Sequence, residues 1–222
     1  MSGTWDRKSA AVFFAVNIFA IIAAIISGYN MDSLTHRFEE RQAITSISAI
    51  QLGATALVSW IVYLLRRTFA LNGGKGGGNI FWLISAAGFL YLMLDETFQF
   101  HEGMDTTVAR LIGVGTDPML DGVPTALYGL AAAALCIRYR REVTRYPGML
   151  LFYLLGGFFL AITSVLNAGL ASSVQIVIEE SAKLLGVVSF FAAHLTALAG
   201  TVREITALTN TARPTEGTAG SS

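Results

Sequence analysis

An all-α bundle built into a membrane is the fold class this sequence predicts, and three observations predict it. Of the 222 residues, 54% are hydrophobic and 14% charged, against about 25% charged in ordinary soluble domains. The apolar residues come in six blocks, about 9–28, 43–65, 80–100, 122–139, 148–167 and 174–202. Each is near the roughly 20 residues that a helix needs to cross a bilayer core. Finally, the basic residues are unevenly placed between the loops, as they are in proteins oriented by the positive-inside rule. Six transmembrane helices therefore fill residues 1–208, with a disordered polar cytoplasmic tail over 209–222.

The first block follows Arg7 and Lys8, as the apolar core of a signal peptide would. It is longer than such a core and lacks an A-x-A cleavage site, so it reads as an uncleaved first span. Between the first two blocks, residues 28–42 carry Asp32, His36, Arg37, Glu39, Glu40 and Arg41. These alternating signs predict a short interfacial helix laced with salt bridges. The glycine-rich stretch 71–78 lacks the Gly-Lys-Ser/Thr of a phosphate-binding loop and reads as a flexible linker. The basic segment 137–145 predicts a topology anchor facing anionic lipid, and is too short a run for nucleic-acid binding. Gly156-Gly157, Thr163-Ser164 and Asn167 in the fifth block permit close helix approach. The single cysteine, Cys136, allows no internal disulfide and reads as a small packing residue.

With the N-terminus in the cytoplasm, the inner loops and tails hold Arg7, Lys8, Arg66, Arg67, Lys75, Arg138, Arg140, Arg141, Arg145, Arg203 and Arg213. The outer loops hold Arg37, Arg41 and Arg110, and Lys183 falls in or near the sixth span. Both termini are thus expected in the cytoplasm of a bacterial inner membrane. Most acids map to the outer side, which is either a solvated acidic surface or a mouth that attracts cations.

The strongest functional signal is the run Leu94-Asp95-Glu96-Thr97-Phe98-Gln99-Phe100-His101-Glu102. The uncharged run before it, Ile80–Leu94, has fifteen residues, short of a ~30 Å core at a rise of about 1.5 Å per residue. The helix is therefore expected to continue to about Phe100, leaving Asp95 and Glu96 roughly 8 Å inside the outer boundary. Asp95, Gln99 and Glu102 share one face, His101 and Asp105 adjoin it, and Glu96 needs another helix to meet. The sixth block opens with Glu179-Glu180-Ser181-Ala182-Lys183 on the same side. Glu179 and Lys183, four apart, form a helical ion pair, which leaves Glu180 over.

Asp95, Glu96, His101, Glu102, Glu179 and Glu180 are the expected ligands of a divalent metal, zinc, iron or manganese, with Glu102 the expected catalytic base. A salt-bridge network around Lys183 and an ion or proton path are the other readings of the same residues. His36 reads as a surface residue. His194, fifteen residues beyond Glu179 and thus roughly 22 Å along the helix, reads as a polar packing residue outside the outer site.

Two protease elements are resembled locally. His101-Glu102-Gly103-Met104-Asp105 with Leu120-Asp121-Gly122 is similar to the zinc motifs of site-2 proteases. That resemblance implies His101, Asp105 and Asp121 as ligands and Glu102 as general base, although the second histidine is missing and the elements are close together. Glu179-Glu180-x-x-Lys183 resembles the start of the CAAX-type glutamate proteases, without the motifs that follow there. Over its whole length the chain resembles uncharacterised bacterial multi-span proteins with an L-D-E…H-E element and a late E-E element, which implies no activity. The expected partners are the lipid bilayer and a membrane-protein partner or second copy. Three functions follow: a metal-dependent hydrolase or redox protein, a non-catalytic subunit of a larger membrane complex, or an ion or proton conduit.

Overall fold

The computed structural model describes residues 5–31, 33–38, 42–71, 79–100, 123–167 and 172–211, and among them every regular element is a helix. These are α1 (Trp5–Asn30), α2 (Ala43–Leu71), α3 (Asn79–Phe98), α4 (Val123–Arg138), α5 (Arg140–Val143), α6 (Met149–Asn167) and α7 (Ser173–Thr211). Each expected apolar block is a helix, and α5 is a short addition to them. Five helices are long and apolar enough to cross a membrane: α1, α2, α3, α6 and α7. The sixth expected span, α4, has 16 residues and falls short of the roughly 20 needed to cross untilted. The last helix runs to Thr211, past the expected domain end at residue 208.

α7 is the axis of the bundle. It packs along α6 and α2 and more lightly against α1, while α2 and α3 form an antiparallel hairpin. Small residues set the close approaches. A Cβ on Gly156 of α6 would lie 2.8 Å from the Phe190 ring of α7, and one on Gly186 of α7 3.4 Å from the Gly156 carbonyl. Gly157 beside it is exposed and meets nothing, so only half of the expected glycine pair makes the contact. A Cβ on Gly53 would lie 2.7 Å from Met93 Sδ, which brings α2 against α3.

Large apolar side chains on the outside, such as Phe19 of α1, Ile50 of α2, Leu130 of α4 and Leu154 of α6, are exposed. In water such a surface would drive aggregation; in lipid it is the solvated face. Side-chain hydrogen bonds also join helices inside the bundle. Gln51 Nε2 of α2 donates to Asn17 Oδ1 of α1 at 2.7 Å, and Asn17 Nδ2 donates to the Phe13 carbonyl at 2.8 Å.

The described part of the first connection, residues 33–38, is a series of turns in place of the expected interfacial helix. Phe38 anchors it by entering an apolar cluster with Ile21, Ala24, Ile44, Val177 and Leu184. Burying that ring is worth more than the exposed ion pairs that the sequence suggested.

Candidate functional site

Helical spacing puts Glu180, Lys183, Val187, Phe190, His194, Ala197 and Thr201 on one stripe of α7, at alternating steps of three and four. Except for the half-buried Lys183, every member of that stripe is buried. α3 faces it through long side chains: Glu96 reaches Lys183, Phe89 reaches Phe190, and Phe89 and Trp82 reach His194. The α3–α7 seam is thus filled by large side chains, and it carries polar groups at three levels.

At the outer level, Lys183 Nζ lies 3.0 Å from Glu96 Oε1 and 2.8 Å from Glu180 Oε1. All three side chains are mostly shielded, at 19%, 11% and 10% exposure. Glu96 does meet another helix, and that helix is α7. To the expected Glu179–Lys183 reading this geometry adds two contacts: the ammonium lies against Glu180, one turn back, and Glu96. Residue 180 is on the stripe that faces α3, whereas Glu179 is rotated about 100° from it. Glu179 is half-buried, and its carbonyl accepts a 3.5 Å hydrogen bond from Thr163 Oγ1 of α6. Asp95 is buried at 5% exposure in the last turn of α3.

α3 stops earlier than the sequence suggested. It ends at Phe98, and Gln99 takes φ 58°, in the left-handed region, with its amide donating to the Asp95 carbonyl at 2.7 Å. The expected face through Asp95, Gln99 and Glu102 is broken at its middle member. His101, Glu102, Asp105 and Asp121 lie outside the described residues, so the site-2-like element falls there too. Among the described residues, no three His, Cys, Asp or Glu side chains are grouped to hold a metal ion. Asp95, Glu96 and Glu180 are brought to one end of the bundle, and the latter two share one internal ammonium.

At the middle level, His194 is fully buried. Its Nδ1 lies 2.8 Å from the Phe190 carbonyl and its Nε2 3.3 Å from Tyr153 Oη of α6. A carbonyl can only accept, so Nδ1 carries the proton and Nε2 accepts from the tyrosine hydroxyl. Trp82, Phe89 and Tyr153 surround the imidazole with ring centroids 5.7, 5.0 and 5.7 Å away.

The inner level was not foreseen. Within residues 137–145, read as an anchor facing lipid, Glu142 turns inward and the exposed Arg145 reaches it from outside. Arg66 Nη1 of α2 lies 2.8 Å from Glu142 Oε2, at 4% and 9% exposure. Arg145 lies 4.0 Å from Glu142 and grips Glu204 of α7 with two donors, at 3.1 and 2.8 Å. Tyr146 Oη accepts from Arg66 Nη1 at 3.0 Å and shares a 2.8 Å hydrogen bond with Thr201 Oγ1. Its ring lies on α7 where Gly200 leaves room; a Cβ there would overlap the ring atoms. Burial raises the Tyr146 phenol above its ordinary value of 10.0, and the Glu204 hydrogen bond raises the Arg145 guanidinium. Two signals in the sequence pointed here: Arg66 ends a long apolar helix, and Glu142 is the lone acid in a basic segment.

No curated protein and no solved structure matches the chain. A family model described as a domain of unknown function, DUF8692, matches residues 9–198. The polar seam lies almost wholly within that stretch, and the chain belongs to this family.

Proposed function

We propose that this is a multi-span protein of a bacterial inner membrane, crossing six times with both termini cytoplasmic, that passes protons or small cations along the α3–α7 seam. The orientation rests on the eleven Lys/Arg of the inner loops and tails. A short, tilted α4 completes the sixth crossing. The observation that carries the function is the placement of ionisable groups against one buried stripe of α7 at three levels: Glu96–Lys183–Glu180, His194–Tyr153, and Arg66–Glu142, which reaches Thr201 of the stripe through Tyr146.

Ionisable groups at membrane depth are costly, and they face a bundle interior where protons and ions move. Lys183 acts as a tethered cation. It lies within ion-pair distance of two carboxylates, and a proton or a small cation arriving from the outer side competes with it for them. His194 Nε2 is an acceptor further inward, about 21 Å from Glu180 along α7 at the standard rise. Phe89 and Phe190, with ring centroids 5.9 Å apart, stand between the two levels and form an apolar constriction of the kind that gates by wetting.

This geometry favours exchange at the outer carboxylates over a resident metal, because a metal there must first displace an ammonium already within ion-pair distance of two ligands. The test is flux. Purified protein in liposomes carrying a pH-sensitive dye is expected to dissipate an imposed proton gradient, and Glu180→Gln and His194→Ala are each expected to slow it. Flux no faster than in protein-free liposomes overturns the proposal. Stoichiometric zinc, iron or manganese that is lost in Glu180→Gln replaces it with the metal-centre reading.

A further inference from the structure

We infer that residues 139–149 form a latch that closes the inner end of the α3–α7 seam, held shut by the ion chain Arg66–Glu142–Arg145–Glu204. The inference rests on the conduit reading for its purpose, though not for its geometry. Between α4 and α6 the chain turns across the end of the bundle as α5 and a run of turns. It inserts Val143, Tyr146 and Met149, at 2%, 5% and 0% exposure, against Phe81 and Trp82 of α3 and Ala193 and Ala197 of α7. These side chains occupy the space that α3 and α7 leave between them.

Three features suit a part that opens. The ion chain alternates in sign, and its exposure rises outward from 4% and 9% to 32% and 38%, so its outer pair is open to solvent and breaks first. Gly148, at φ 90°, joins the latch to α6 in a conformation that other residues rarely adopt. Where Tyr146 meets α7 its ring lies over Gly200, so on that side no side chain of the helix interlocks with it.

The experiment uses the full chain in inverted membrane vesicles. Cys136→Ser removes the native thiol and Ala197→Cys places one beneath the latch, where Ala197 has 0% exposure. A membrane-impermeant maleimide added at the inner face is expected to modify Cys136→Ser/Ala197→Cys slowly. Adding Arg145→Glu is expected to speed modification about tenfold, the change that 1.4 kcal/mol of differential stability gives. Adding Glu204→Arg as well is expected to restore protection by re-forming the pair with its charges exchanged. Tyr146→Phe, which keeps the ring and loses only its hydroxyl contacts, is the milder opening variant if Arg145→Glu fails to fold. Fast modification of the starting protein, or equal protection in all folded variants, overturns the latch. Because thiol modification is independent of flux, a latch that responds in a protein without flux sinks the conduit reading alone.

Discussion

The two ends of the bundle solve the problem of buried charge in different ways. At the inner end, two arginines and two glutamates alternate, each neutralised by its neighbour, and the chain grades from buried to exposed. At the outer end, two carboxylates share one ammonium, and Asp95 is buried nearby. A balanced chain is what a structural fastening needs. Two carboxylates about one ammonium are the arrangement on which the proposed exchange of protons or cations would act. On the proposed conduit reading, the difference separates the part of the molecule that holds from the part that exchanges.

The largest expected effect breaks the outer end. Lys183→Met removes the ammonium that Glu96 and Glu180 share and is expected to cost about 3–5 kcal/mol, as breaking a buried pair on one side does. Thermal unfolding in detergent measures it. Replacing all three groups, as Glu96→Gln, Lys183→Met and Glu180→Gln together, is expected to recover most of that loss while abolishing proton flux. Stability and flux moving together across these variants would mean that the cluster only holds the fold.

At the inner end, Glu142→Gln leaves Arg66 buried without its carboxylate, and about 2–4 kcal/mol is expected to be lost, near the lower part of the same range. Gly200→Ala drives a methyl group into the Tyr146 ring, an overpacking effect of about 1–3 kcal/mol. It should be nearly silent in a Tyr146→Ala background, which a double-mutant cycle on the unfolding temperature checks.

A smaller effect is pH-dependent. Burial raises the Tyr146 pKa in the folded chain, so the unfolded chain loses the phenolic proton first as pH rises past 10.0. The unfolded state then binds fewer protons, and stability falls with pH above that value while being fully present below it. Tyr146→Phe is expected to flatten that alkaline loss in an unfolding-temperature series. The smallest effect is at the exposed edge of the inner chain. Arg145→Met is expected to cost less than about 1 kcal/mol, because its partner Glu204 is 38% exposed. The difference should shrink as salt rises, which the outer cluster, better shielded, should resist.

The helices were legible because lipid and the bundle interior both demand apolar residues, and six blocks of them are plain in the chain. The reach of Glu96 to a second helix was legible from its angular position on α3. The contacts of Lys183 with Glu96 and Glu180 were not: the sequence reading paired it with Glu179 at i−4, and only the direction of α3 brings Glu96 within reach. The break at Gln99 was equally hidden, since nothing in Phe98-Gln99-Phe100 marks a left-handed residue.

What the sequence determined by itself is therefore composition-driven: helix positions and an apolar exterior. Tertiary structure alone decided which charges meet. Arg66, Glu142, Arg145 and Glu204 are brought together from three distant segments, and Lys183 is turned toward α3. Hydrophobicity acts locally along one helix and can be read in order, whereas an ion pair depends on how two helices are rotated and separated, a quantity that no single segment carries.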